Sequence, residues 1–462
     1  MARYACQAFA AILLSLQAAG SRPDDNSFFA ARRASLMKKI GGSVAVLQGA
    51  AETRAYDAFR QSNDFYYLTG VETPDAFVLL DANRHRSILF LPPRNKAREA
   101  WEGPRLFPGE EARALTGFDE VLDIDRLADE LDKRKRGVKS VFIPMQPEEI
   151  AATSRDRASA YEKAREHSPW DGRVARERAF SESLKKRLGD GTITRDLSPI
   201  LDEMRRVKDA QEIDRMRESA RIGALGLKAA MRSEQPGIYE YQLAAAAEFV
   251  FRWNGAMGYA YFPIVGSGPN SCILHHDRND RKTEPGDIVV MDFGPDYRYY
   301  HSDITRTFPA SGKFSEEQAA IYRIVLEAQK AALEKVRPGA SFGDIGGAAR
   351  DVAAHYGYLN HWVHGASHYV GMSTHDVGEI RPLEPGVVLT VEPGLYFPAK
   401  NLGVRIEDTV LVTKEGCEIL SRDVPREIDQ IERLMSEKGP ALPLQSKNRP
   451  AKSMQLTSQS DK

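Results

Sequence analysis

Cysteine is scarce: Cys6, Cys272 and Cys417 are the three in 462 residues, and none has Cys-x-x-Cys spacing. A disulfide framework and a zinc-finger pattern are thereby excluded, and Cys272 and Cys417 read as small core residues rather than nucleophiles. Excess charge is missing too, because 64 basic residues against 65 acidic ones leave a formal net charge of −1. Nothing in that balance attracts nucleic acid or an acidic membrane. Long apolar runs are absent from the amino terminus. The stretch Ala8 to Leu16 is too short to cross a bilayer as a helix, so no stable membrane span is expected there. Gly266 to Asn270 (GSGPN) superficially resembles a phosphate loop, but it lacks the following Lys-Ser/Thr and reads as a turn.

What is present fits a large enzyme. The chain is 42% hydrophobic and long enough for two or three domains with substantial cores. Arg3, the apolar stretch and Ala18-Ala19-Gly20 favour a cleaved export signal over 1–22, leading to the periplasm or outside, over a cytoplasmic extension. From 23 to 195 the pattern is that of an α/β domain. SVAVLQG, AFVLLDA, RSILFLPP and SVFIPM read as strands, FFAARRASLMKKI and DIDRLADELDKRK as amphipathic helices. The charge-rich run from Ser154 to Arg187 reads as solvated helix and connection. From 196 to 437 four long helical patterns follow, Ala210 to Met231, Tyr239 to Trp253, Ser315 to Val336 and Phe342 to Tyr356. Pro236-Gly237 and Pro338-Gly339 divide them into two pairs. Each pair precedes a strand pair carrying acids, as in an internally duplicated α/β unit. The polar tail 438–462 is expected to be disordered.

Those acids are the chemical signal. Asp292 ends the apolar run Ile288 to Phe293, and Asp303 lies in the β-prone stretch after Gly294, Pro295 and Asp296. A hairpin turning between Tyr297 and Arg298 would set the two aspartates opposite each other. A second hairpin, turning between Ala399 and Lys400, would set Glu392 opposite Glu407. Like charges directly opposite on paired strands are destabilising, so two such pairs need a reason to exist. Two divalent cations supply one, since four carboxylates balance them. With His368 in VHGASHYVG as an imidazole ligand, the set suits two metals with hard oxygen ligands.

At these residues the chain resembles a known family. MDFG…SDITRTF, HGASHYVG…HD, TVEPGLY and VRIED are similar to the metal-ligand segments of the pita-bread metallopeptidases, which include methionine aminopeptidase, prolidase, creatinase and aminopeptidase P. The resemblance runs from about Pro199 to Glu432. Upstream, RQSNDFYYLTGVETPDAFVLL resembles the amino-terminal domain of aminopeptidase P, which methionine aminopeptidase lacks.

The resemblance implies an α/β (α+β) architecture, with a creatinase-like amino-terminal domain before a pita-bread catalytic domain. It implies an enzyme that releases the first residue of peptides with proline second, through a hydroxide bound to two metals. Asp292 would chelate one metal, Asp303 and Glu407 bridge both, and His368 with Glu392 complete the other. Manganese is expected ahead of cobalt, zinc or iron. Glu392 would also accept the proton of the attacking water, while His364 and His375 hold the substrate carbonyl. His275 falls where the family places a substrate-contacting histidine, and His276 stands where tyrosine is common. Arg405 would orient Glu407 or a substrate group. A homodimer or homotetramer is implied. A dipeptide-only prolidase is the alternative, and a non-catalytic binding module on the same scaffold is the third reading.

Overall fold

The computed structural model describes residues 24–53, 57–134, 138, 140–148, 154–189 and 191–437; the expected leader, Cys6 and the tail lie outside them. The amino-terminal part is a six-stranded mixed sheet, in the order Glu120–Asp123, Arg86–Leu91, Phe77–Asp81, Val44–Gln48, Ser140–Ile143, Ile193–Asp196. The four inner strands are the apolar runs of the sequence. The two edge strands, EVLD and ITRD, were not legible because neither carries such a run. The charge-rich stretch folds as two largely exposed helices, Arg155–His167 and Arg176–Leu188.

The connecting helix Ser198–Arg206 leads into the second half, where the four long helices appear as Ala210–Ser233, Glu240–Trp253, Glu316–Leu333 and Phe342–His355. Local chemistry fixes their starts. Asp209 with Glu212, Ser315 with Gln318 and Ser341 with Asp344 form reciprocal capping boxes, each satisfying backbone donors that a helix start leaves over. Ser341 lies in GASFG, which has Gly-x-Ser-x-Gly spacing. Its hydroxyl is spent on that cap, bonding the Asp344 carboxylate at 2.8 Å, so it offers no nucleophile.

Each helix pair packs on a strand pair. Ile288–Asp292 is antiparallel to Thr305–Pro309, and Val388–Val391 is antiparallel to Asp408–Val412. Leu227, Phe251, Val289, Met291, Phe308, Tyr322, Leu389 and Val410 are buried between the layers. At about 1.5–3 kcal/mol for each large apolar side chain removed from water, this core holds the acid-bearing strands rigidly. The duplicated pita-bread arrangement is therefore present as the helix pattern implied. No helix among the described residues is long and apolar enough to cross a membrane.

Candidate metal centre

The two hairpins differ in register. In the glutamate hairpin, Gly394 pairs with Arg405 and Val391 with Asp408, the register that places Glu392 across from Glu407 as the sequence indicated. In the aspartate hairpin, Asp292 pairs with Thr305 rather than with Asp303. The turn is one residue later than expected, because Arg298 and Tyr299 both take the left-handed conformation (φ 50° and 71°) and form the two-residue loop. Asp303 thus falls across from Gly294 and diagonal to Asp292. A Cβ at Gly294 would sit 1.9 Å from the Ser302 carbonyl oxygen, so only glycine permits this approach.

The two hairpins are then sewn together by threonines that carry no sequence signal. The Thr307 hydroxyl donates to the Arg405 carbonyl at 2.7 Å, and the Thr409 hydroxyl donates to that of Asp303 at 2.8 Å. Glu407 N donates to the Thr305 carbonyl at 3.1 Å. Arg306 and Asp408 form a fully buried ion pair at 2.7 Å behind the same seam. The result is one floor bearing Asp292, Asp303 and Glu407, all buried.

Around this floor the expected residues converge. His368 Nε2 lies 3.5 Å from Asp303 Oδ2 and 3.4 Å from Glu392 Oε1, and its Nδ1 bonds the Tyr369 carbonyl at 3.0 Å. That bond fixes the ring so that Nε2 faces the acids, as an imidazole ligand must. Asp303, His368 and Glu407 offer ligand atoms within 4.8 Å of one another. The Tyr261 hydroxyl, absent from the sequence reading, lies 2.6 Å from both Asp292 Oδ1 and Asp303 Oδ1. The Thr305 hydroxyl donates to Glu407 Oε2 at 2.6 Å, while the buried Glu407 Oε1 has no partner among the described residues. A buried carboxylate oxygen without a donor is costly, and it fits a cation ligand.

Electrostatics point the same way. Burial, then the charge of Asp303, pushes the Asp292 carboxyl upward; burial and the neighbouring acids push Glu407 upward as well. Glu392 is also raised, chiefly by burial. Burial opposes the charged form of His368, but the Asp303 hydrogen bond and the Glu392 charge outweigh it and raise the imidazole to about 9. Such a set is poorly balanced by protons and well balanced by divalent cations.

Arg405 is not the surface residue that its position in a strand allowed. It is buried and bonds Asp292 Oδ2 at 2.9 Å, the Tyr396 hydroxyl at 2.9 Å, Thr305 Oγ1 at 3.2 Å and the Leu274 carbonyl at 3.3 Å. It bonds Asp292 directly, and its hydrogen-bonded route to Glu407 runs through Thr305. The histidines separate into distinct environments. His364 has both ring nitrogens engaged, Nδ1 with the Gly365 carbonyl at 2.7 Å and Nε2 with the Tyr396 hydroxyl at 2.9 Å. His375 stands edge-on to His368, with ring centroids 4.1 Å apart. Burial first, then the charge of Arg405 on His364 and of His368 on His375, lowers them to about 4 and about 3, so both are neutral near pH 7. His275 is an exposed residue whose ring is partly desolvated; that desolvation, then the charges of Arg157 and Arg405, lower its pKa. His276 points elsewhere, into a buried contact with Glu240 at 3.1 Å.

A duplicated α/β domain with such an acid and imidazole cluster defines a metal-dependent hydrolase. Residues 214–414 match metallopeptidase family M24, and residues 29–142 match the amino-terminal domain of aminopeptidase P. The Xaa-Pro aminopeptidase of Escherichia coli (strain K12) is 34% identical over 447 residues, covering 88% of this chain and 97% of the relative. The human Xaa-Pro dipeptidase is 30% identical over 466 residues, covering 86% and 89%. An aminopeptidase structure from Pseudomonas aeruginosa superposes with a TM-score of 0.76 at 33% identity, covering 90% of this chain and 98% of that one. The chain belongs to metallopeptidase family M24.

Proposed function

We propose that the protein is an Xaa-Pro aminopeptidase, removing the first residue from peptides with proline second. The observation that carries this reading is the engagement of Arg405. A dipeptidase needs a cation free to clamp the substrate carboxylate, whereas an aminopeptidase leaves that direction open for the rest of the peptide. Arg405 directs all three guanidinium nitrogens to Asp292, Tyr396, Thr305 and Leu274, so none is left for such a clamp.

Asp292, Asp303, His368, Glu392 and Glu407 would hold two divalent cations, with manganese favoured by the oxygen-rich donor set. When bound, these ions supply acidification of a water near neutral pH and polarisation of the peptide carbonyl. The side chains do the rest. Glu392, hydrogen-bonded by Thr390 at 3.2 Å, takes the proton of the attacking water and passes it to the proline nitrogen, which must be protonated before it leaves. His375 is neutral, and its ring nitrogens have no hydrogen-bond partner among the described residues. It therefore donates to the carbonyl oxygen as negative charge develops there. His364, with both nitrogens occupied, positions Tyr396 and the wall of the site instead. Export through the segment 1–22 and a homodimeric or homotetrameric assembly complete the reading.

One observation favours the dipeptidase alternative. The charge of Arg157, an exposed residue of the amino-terminal domain, reaches both His275 and His375. Steady-state kinetics of the metal-reconstituted protein on matched Xaa-Pro and Xaa-Pro-Yaa peptides decide between them. The expected outcome is a higher kcat/KM on the tripeptide, cut at the Xaa-Pro bond; preference for the dipeptide would establish the alternative.

A further inference from the structure

The segment Arg60–Asp64 of the amino-terminal domain, in RQSNDFYYLTG, makes contacts that neither the sheet nor the metal ligands require. It lies against the loop Gly371–Asp376, which connects His368 to His375. Three routes join them. Asn63 Nδ2 donates to the Met372 carbonyl at 3.2 Å and to Ser373 Oγ at 2.9 Å, and Asn63 is fully buried. Asp64 pairs with Arg205 at 2.8 Å, and Arg205 pairs in turn with Asp376 at 2.7 Å. Asp376 is buried and also takes Lys208 at 3.1 Å, so the residue next to His375 is fixed by two cations. Arg60 pairs with Asp296 at 3.0 Å, His301 lies 3.5 Å from Asp296, and His301 Nδ1 lies 3.2 Å from the Thr374 hydroxyl. Arg60 and Asn63 are themselves bonded at 2.8 Å, which joins two of the three routes, and Asp64 follows Asn63 in the chain.

The loop is tight as well as anchored. A Cβ at Gly371 would lie 1.9 Å from Asp376 Oδ2, so the turn closes directly on its buried carboxylate. The main chain leaves no slack to reposition His375 by itself. Asn63, Asp64 and Arg60 therefore reach every residue from Met372 to Asp376 except His375, whose ring is left to face the site. We infer that Asn63 and Asp64 are positioning residues for His375, so that the amino-terminal domain completes the catalytic geometry of its own chain. The idea rests on the role given to His375 above. A displacement of about 1 Å in a group acting on the transition state costs up to roughly a hundredfold in rate, so a loop gripped by another domain directly at Met372 and Ser373, and through Arg205 at Asp376, is a sensitive place.

The test is a double-mutant cycle in the full-length, metal-reconstituted protein. Asn63→Ala is expected to lower kcat about tenfold to a hundredfold, with KM within about twofold and metal per subunit unchanged. In a His375→Ala background the same change is expected to have no further effect, because the group it positions is gone. Hydrogen–deuterium exchange of the peptide spanning 371–377 gives a readout independent of catalysis, and Asn63→Ala is expected to speed it. Ser373→Ala, which deletes one hydroxyl on the other side of the contact, should reproduce a smaller form of both effects if Asn63→Ala folds poorly. Equal kcat losses from Asn63→Ala with and without His375, or wild-type exchange at 371–377 in both variants, would overturn the inference. Wild-type protein inactive on Xaa-Pro-Yaa peptides, with the faster loop exchange still seen in Asn63→Ala, would count against the proposed reaction and leave the domain contact standing.

Discussion

The aspartate and glutamate hairpins come from the same kind of unit, yet they reach the metal centre by different means. The glutamate hairpin turns through Pro398–Lys400 with Asn401 in the left-handed region (φ 51°), which asparagine tolerates, and its tip faces solvent. Its turn residues adopt conformations they tolerate, and its register brings Glu392 across from Glu407. The aspartate hairpin instead puts arginine and tyrosine into a left-handed turn, a conformation that costs energy for such side chains. Tertiary contacts offset that cost. Tyr299 is buried, stacks on Tyr66 of the amino-terminal domain at 3.6 Å, and its hydroxyl accepts from Gln61 N at 2.9 Å and donates to Glu72 at 2.8 Å. One hairpin has an unstrained turn; the other has a strained turn that a second domain supports.

The largest effects are expected at the acids each hairpin would contribute as a bridge. Asp303→Ala and Glu407→Ala are expected to abolish activity and lower bound metal equally, despite their different registers, because each would serve both ions. Elemental analysis of metal per subunit checks this. Two tightly held ions in an active Asp303→Ala protein would sink the assigned centre.

A smaller effect is expected at the glycines. Gly294→Ala crowds the aspartate hairpin against its own Ser302 carbonyl, whereas a Cβ at Gly403 meets the Ser271 carbonyl at 2.0 Å, outside its hairpin. Both should destabilise by about 1–3 kcal/mol or more. A Tm lowered by roughly 3–10 °C would follow, but only Gly294→Ala should also weaken metal binding by parting Asp292 from Asp303. Calorimetry with and without added metal distinguishes the two.

The smallest effect concerns pH. His364, on the glutamate side, is partly buried and held near 4, well below an ordinary imidazole at about 6.5. Between those values the folded protein binds fewer protons than the unfolded chain. Its contribution is therefore complete above pH 6.5 and lost as pH falls toward 4. His364→Gln is expected to flatten the fall in Tm across that window. An unchanged pH dependence would show that this histidine is not the source.

The sequence alone carried the strand and helix runs with clear apolar periodicity, the duplication, and the residues that the site gathers. These are local properties: Val388–Val391 is apolar throughout, and Ser315 with Gln318 caps its helix wherever it lies. It also carried the register of the glutamate hairpin, whose turn is set by residues within the turn. Only the tertiary structure decided the register of the aspartate hairpin, because Tyr299 takes its conformation from Tyr66 and Gln61, more than two hundred residues away in the chain. The same holds for Tyr261 between the two aspartates, for the threonine seam, and for Arg405 turned inward to Asp292. A hydroxyl or a guanidinium has no periodicity that reveals its partner. Which one it meets depends on how two hairpins and a second domain pack, and that is settled by the burial of the cores behind them.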